Sequence, residues 1–323
     1  MKYKVERFIN EHKLLEQGNK VLVAISGGAD SVALLVVLDK LGYKCEAIHC
    51  NFHLRGKESD RDEQFTKELC KRMGITLHIV HFDTKAYAIQ RGISIEMAAR
   101  EQRYAAFDEH RTAIGAQAIA VAHHRDDSAE TLLLNLTRGT GIKGLRGIQP
   151  RNGHIIRPLL CVGRDEITEY LEWRGENYVT DSTNLACDYT RNKIRLEVIP
   201  KMAEINPSIL ATLAGTAQRI GEAEKIYRHA INESVKRVRQ GNDIDIAALL
   251  KEVAPSTLLH EILSPLGFNS AQIEDIKEGL TSEGAKQYHT SGWSVVKDRE
   301  RLIIIPETEI KPQERLLPQE GSV

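Results

Sequence analysis

The stretch Lys20-Val-Leu-Val-Ala-Ile25, running directly into Ser26-Gly-Gly-Ala-Asp-Ser31 and then into the apolar run Val32 to Leu38, decides the fold. Lys20 to Ile25 is rich in valine and reads as a strand. The glycine pair Gly27-Gly28 ends it, and a helix from Ser31 to Leu41 starts at once. A strand that passes through two glycines into a helix gathers main-chain N–H groups and the positive end of the helix dipole at one point, which favours anions. The hydroxyls of Ser26 and Ser31 add donors, and Asp30 offers a carboxylate that Mg²⁺ can bridge to phosphate. No Gly-Lys-Ser/Thr sequence closes the loop, which excludes a Walker P-loop and its γ-phosphoryl chemistry. Taken alone, the same residues also suit a tight strand-to-helix turn with Asp30 or Ser31 as the helix cap.

Outward from this loop, short apolar runs alternate with helical patterns. Strands are expected at Cys45 to His49, Ile75 to Phe82 and Ala118 to Ala122, and helices at Glu58 to Met73, Ile95 to Ile114 and Asp126 to Arg138. This alternation predicts an α/β fold, a doubly wound, mostly parallel sheet whose ligands lie beyond the carboxyl ends of the strands. The glycine-rich stretch Arg138 to Gly147 reads as a loop. A long helix is expected from Asn206 to about Arg239, then helices at Ser256 to Leu263 and Ser270 to Leu280, and a hairpin at Gln287 to Ile305. The predicted organisation is a catalytic domain over 1–205, a smaller, mainly helical domain over 206–306, and a disordered or truncated tail over 307–323.

Composition narrows the function classes. The chain has 323 residues, 41% hydrophobic and 28% charged, as expected of a globular protein. No apolar run approaches the roughly 20 residues of a membrane span, and the N-terminus lacks a secretion signal, so a cytoplasmic protein is expected. Five cysteines, odd in number and with no Cys-x-x-Cys pair, suggest neither a disulfide framework nor a zinc site. A net charge of -1 gives no global attraction to nucleic acid. Locally, however, Arg138, Lys143, Arg146, Arg151, Arg157 and Arg164 follow one another between Leu136 and Arg164 without an acidic residue.

Two further stretches carry chemistry. His123-His-Arg-Asp-Asp127 follows the Ala118 to Ala122 strand, with Asp127 and Glu130 three apart and so on one helix face. Such groups can hold Mg²⁺ or an ammonium, or take a proton, although a capped helix with solvated charges explains them too. Glu96, Arg100, Arg103 and Phe107 form one helical stripe. It offers either two guanidiniums for phosphate or a plain Glu96-Arg100 surface pair.

The Ser26 to Ser31 loop resembles that of the N-type ATP pyrophosphatases, which split ATP between its α and β phosphates to adenylate a carbonyl oxygen. Within them, the chain resembles the tRNA(Ile)-lysidine synthases over about residues 20 to 200. The shared motifs are Ile48-His-Cys-Asn-Phe-His-Leu-Arg55, Glu96-Met-Ala-Ala-Arg-Glu-Gln-Arg-Tyr104, His123 to Thr131, Leu136 to Leu145, Arg157-Pro-Leu-Leu160, Asp181-Ser-Thr-Asn184 and Tyr189 to Arg195. The resemblance implies an ATP-dependent ligase that attaches lysine to C2 of a wobble cytidine. Its partners would be free L-lysine and an isoleucine tRNA with a CAU anticodon, and a homodimer is an open expectation. It implies ATP binding by Ser26, Gly27, Gly28, Ala29, Asp30 and Ser31, Mg²⁺ at Asp30 and Asp127, and catalytic positions at Asp30, Asp127, His123 and Arg103. Glu130 is assigned to the lysine ammonium from its charge, and Arg138, Lys143, Arg146, Arg191 and Arg195 to tRNA. Family members often carry a further C-terminal domain for the acceptor stem, whereas this sequence stops at Val323. The alternatives are a tRNA thiolase of the same superfamily and a non-catalytic ATP-binding regulatory module.

Overall fold

The computed structural model describes residues 1–180, 189–282 and 284–307. Expectations for Asp181 to Asn184, for Cys187 and for the tail past Glu307 fall outside the described residues. Two compact units divide after Glu222, inside a long helix, whereas the change of sequence pattern comes at Asn206.

The first unit is built on a six-stranded sheet. β1 (Lys20–Ala24) is flanked by β2 (Lys44–Asn51) and β3 (Leu77–His81) on one side and by β4 (Ala118–Ala120) on the other. The short β5 (Arg151–Asn152) and β6 (Ile155–Ile156) complete the order β3-β2-β1-β4-β6-β5, parallel except for the β5-β6 pair. Chain order reverses between β1 and β4, and such a switch point opens a crevice above the strand ends. The register Val21↔Ala118 and Val23↔Ala120 places the two strand ends side by side.

Helices cover both faces. α1 (Lys2–Glu11), α2 (Ala29–Lys40) and α3 (Lys57–Met73) lie on one face, while α4 (Thr84–Arg91) precedes α5 (Ile95–Ala113) on the other. Along β1, Val21 and Val23 join the α1/α2 core while Leu22 joins Phe107 of α5, the alternation a sheet buried on both faces imposes. α2 is apolar all round because Val32 to Leu38 are wholly buried. Truncating Leu35 there should cost about 2–5 kcal/mol.

α6 (Arg125–Arg138) follows β4. The expected loop after it includes a single helical turn, α7 (Ile142–Leu145). α8 (Arg164–Arg174), which the sequence pattern did not suggest, packs Ile167, Tyr170 and Leu171 against the α2 side. α9 (Tyr189–Lys193), a π-helical turn (Ile194–Val198) and α10 (Ile199–Ile205) lead to α11 (Ile209–Val238).

The second unit has its own core, including Leu258, Leu263, Phe268, Ile276, Val295 and Ile304. β7 (Arg239–Gln240), β8 (Asp243–Asp245), β9 (Lys286–His289), β10 (Trp293–Asp298) and β11 (Arg301–Pro306) form an antiparallel sheet in the order β7-β8-β11-β10-β9. α12 (Ile246–Lys251), α13 (Pro255–Leu263) and α14 (Ser270–Gly279) pack on it. The expected hairpin is thus the centre of a five-stranded sheet, and the expected helices α13 and α14 pack on it beside α12.

Candidate active site

The loop after β1 is fixed by its own side chains. Ser31 Oγ donates to the Gly28 carbonyl at 2.8 Å and accepts from the Ser26 amide at 3.1 Å. Ser31 therefore shapes the loop, and its hydroxyl proton is engaged there rather than offered outward as the sequence suggested. Gly27 has φ +91°, which disfavours any side chain, although a Cβ there would make only an ordinary 3.4 Å contact with Phe65. Gly28 caps α2, whose first-turn amides lack intrahelical acceptors.

Beside it, the end of β4 carries His123 and His124 into α6. The His124 main-chain N–H donates to Asp127 Oδ2 at 2.9 Å, so Asp127 is held back over the helix start. His124 Nε2 lies 3.9 Å from Asp30 Oδ1 and 3.5 Å from Asp127 Oδ2, which brings carboxylates of α2 and α6 to one imidazole edge. Asp30 Oδ1 is buried and has no hydrogen-bond partner. Asp30 and Asp127 suit Mg²⁺, which takes one or two carboxylates and fills its shell with water and phosphate oxygens. Among the described residues, no set of three or more His, Cys, Asp and Glu is arranged as an all-protein metal cage.

Arginines balance these carboxylates. Arg164, at the start of α8, donates to Asp30 Oδ2, and its amide donates to Asp126 at 2.8 Å. Arg195, on the π-helical turn, grips Glu130 through both oxygens at 2.6 and 2.8 Å and lies 3.6 Å from Asp127. Arg191 donates to Thr131 at 3.2 Å and lies 3.9 Å from Glu130. Arg191 and Arg195, assigned to tRNA from sequence, thus face the acidic side of α6. Glu130 is only 2% exposed and is already gripped by Arg195, so it is not an open acceptor for lysine.

His123 lines a cleft of about 350 Å³ together with Gly28, Asp30, Phe52, Arg103 and Tyr104. Its Nδ1 accepts from Arg157 Nε at 3.3 Å. Burial first, then the nearby cations, push its pKa down from the ordinary 6.5 to about 4, against the pull of Asp127. Arg103 sits 5.1 Å over the Phe52 ring, and Phe52 stacks on Phe82 at 5.3 Å, so the cleft has an aromatic wall opposite its charged floor. Asp30, Ser31, His123 and Arg103 therefore meet in one cleft, with Asp127 close behind. Arg164 was visible in the sequence only as a member of a basic run, and Arg157 also as the start of the Arg157-Pro-Leu-Leu160 motif, with no role given to either at the site.

The basic loop forms a second hollow of about 730 Å³ lined by Lys143, Arg146, Arg151 and Arg157 and by no carboxylate. Arg151 is tied to the Leu14 and Lys13 carbonyls, and Arg138 is exposed outside the lining. Gly147, with φ +61°, lets this loop lie on α6, where the Ile148 amide donates to Ser128 Oγ at 3.1 Å. Four thiols are poor nucleophiles, because burial pushes Cys45 up to about 12 and Cys50, Cys70 and Cys161 to about 11.

Residues 1–202 match the family model of the PP-loop domain, and residues 239–307 that of the TilS substrate binding domain. A tRNA(Ile)-lysidine synthase of Bacteroides thetaiotaomicron is 53% identical over 320 residues, which cover 98% of this chain and 75% of that protein. One of Parabacteroides distasonis is 50% identical over 305 residues, 94% of this chain and 70% of that protein. Among solved structures, the U34-tRNA thiolase NcsA from Methanococcus maripaludis aligns with a TM-score of 0.58 at 20% identity, covering 68% of this chain and 78% of that one. This is a likeness of fold.

Proposed function

Since the chain belongs to the tRNA(Ile)-lysidine synthase family, we propose that it ligates free lysine to C2 of the wobble cytidine of an isoleucine tRNA, with ATP giving AMP and pyrophosphate. The observation that carries this reading is the meeting of the Ser26 to Ser31 loop, Asp30 and the His123 to Asp127 run above adjacent strand ends. ATP lies in the cleft with its α-phosphate at the loop amides and its base toward the Phe52 side. The cytosine C2 oxygen attacks the α-phosphorus and pyrophosphate leaves. The lysine ε-amine, once neutral, then attacks C2, and AMP departs with the electron pair of the broken C–O bond.

Asp30 and Asp127 would hold Mg²⁺, which supplies charge stabilisation at the phosphates when bound. Arg164 and Arg195 neutralise these carboxylates in the structure, so both guanidiniums move aside as cation and substrates enter. The wobble base must be unstacked to enter a cleft of this size, which suits an anticodon loop. Lys143, Arg146 and Arg138, on the basic stretch after α6, would receive its phosphates. Sulfur transfer is disfavoured by the four raised thiols.

Asp30→Ala should lower tRNA- and lysine-dependent pyrophosphate release by about a hundredfold or more, as expected for losing a principal electrostatic group. Its unfolding transition should remain cooperative. Wild-type turnover in that variant would refute the metal role of Asp30.

A further inference from the structure

Arg157 stands at the crossing of three stretches that the proposed chemistry uses separately. It is only 9% exposed and is anchored by its own amide, which donates to the Pro150 carbonyl at 2.9 Å, and by the buried Pro158 and Leu159 that follow it. Its Nη1 donates to the Gln149 carbonyl at 2.8 Å, in the basic loop, and Gln149 Nε2 in turn donates to the Arg146 carbonyl at 2.8 Å. The Tyr104 phenol reaches the same guanidinium from α5. Its Nε donates to His123 Nδ1 at 3.3 Å.

A guanidinium is a donor only and keeps its protons in proteins. The imidazole nitrogen facing it must therefore present a lone pair. That excludes imidazolium, in which both nitrogens carry protons, and it excludes the tautomer protonated on Nδ1. The proton is left on Nε2, and His123 lines the cleft above the phosphate loop. The groups facing this ring are Asp127, Arg157, Arg191 and His124, so one carboxylate opposes two guanidiniums and a second imidazole.

We propose that Arg157 is a positioning residue that locks His123 in the Nε2–H tautomer, making it a hydrogen-bond donor to the phosphate oxygens during adenylation rather than the base that takes the lysine proton. The functional half rests on the adenylation reading above, whereas the tautomer does not. In this arrangement Nδ1 is occupied and Nε2 is already protonated, so the amine's proton leaves to a carboxylate or to water. Through Gln149, the same guanidinium links the seat of the basic loop to the catalytic ring.

The test is nitrogen-edited NMR of the histidine rings in the full chain without nucleotide, with the His123 signal assigned by its loss in His123→Gln. Wild type should show a neutral ring protonated on Nε2. Arg157→Lys, which keeps a donor, should largely preserve that state, and Arg157→Leu should shift the proton population toward Nδ1. In single turnover with saturating ATP and tRNA, Arg157→Leu should release pyrophosphate about tenfold more slowly or worse, less than the roughly hundredfold or greater loss of deleting a transition-state donor outright because the His123 ring remains. Its KM for ATP should stay within about threefold, the mark of an interaction made in the transition state. A wild-type ring protonated on Nδ1, or an unchanged tautomer in Arg157→Leu, would overturn the proposal, as would unimpaired pyrophosphate release in a variant whose tautomer has shifted. If wild type released no pyrophosphate with tRNA, the adenylation reading would fail while the ring state was still read directly.

Discussion

His123 couples the site to stability as well as to chemistry. Its folded-state pKa of about 4 lies below the ordinary 6.5, so between those values the unfolded chain binds a proton that the folded chain refuses. Stability present above pH 6.5 is therefore lost as pH falls toward 4, by roughly 3 kcal/mol in total. His123→Gln should flatten this part of the acid limb. Urea unfolding of both proteins at pH 7 and at pH 4.5 measures it, and an equal drop in the two would assign the limb to other groups. Asp30, Asp127, His123 and Arg103 were named from the family resemblance of short motifs at strand ends and on one helix stripe, and the fold brings Asp30, His123 and Arg103 to one cleft. Arg164 was not. It reaches Asp30 across 134 residues, and the contact exists only because α8 folds back beside α2. The Arg157 contact with His123 likewise depends on β6 pairing with β4.

At the scale of elements, the seat of the basic loop on α6 is set at Gly147. Gly147 combines φ +61° with a close approach, since a Cβ there would lie 2.4 Å from Ser128 Oγ. Gly153 has a similar φ of +58° but nothing within 4 Å. Gly153→Ala should cost only the left-handed penalty, about 1 kcal/mol. Gly147→Ala should cost more and also unseat Ile148 from Ser128, so tRNA affinity should fall with it while Gly153→Ala leaves affinity unchanged. Equal melting points and equal tRNA affinities for the two variants would show that the seat is not needed. Long, strongly patterned elements were readable from sequence: α2 by its unbroken apolar run, α3 by its mixed acidic and basic residues, α5 by its helical stripe. α8 escaped because only Ile167, Tyr170 and Leu171 face inward and the rest of the helix is mostly charged. β7 and β8, two and three residues long, carry too few residues for an alternating pattern, which is why five strands read as a hairpin.

For the molecule as a whole, composition and charge act at different ranges. A net charge of -1 leaves no long-range pull on a polyanion, yet the hollow after α6 is lined by cations without a carboxylate. The sequence pattern changes at Asn206, whereas the compact units divide after Glu222, within α11. A protein of this kind gains RNA affinity by releasing counterions at a few local phosphates rather than through its mean field. Replacing Arg138, Lys143 and Arg146 together by Ala should therefore weaken tRNA binding at low salt far more than at high salt. The slope of log affinity against log salt should become shallower by about 0.7 for each single-stranded phosphate that is no longer neutralised, roughly 2 for three. ATP affinity should not change, since Phe52, Arg103 and the loop after β1 lie in the other cleft. Filter binding across a salt series separates the outcomes: a parallel drop at every salt concentration would mean that these side chains act through loop structure and not by meeting phosphate.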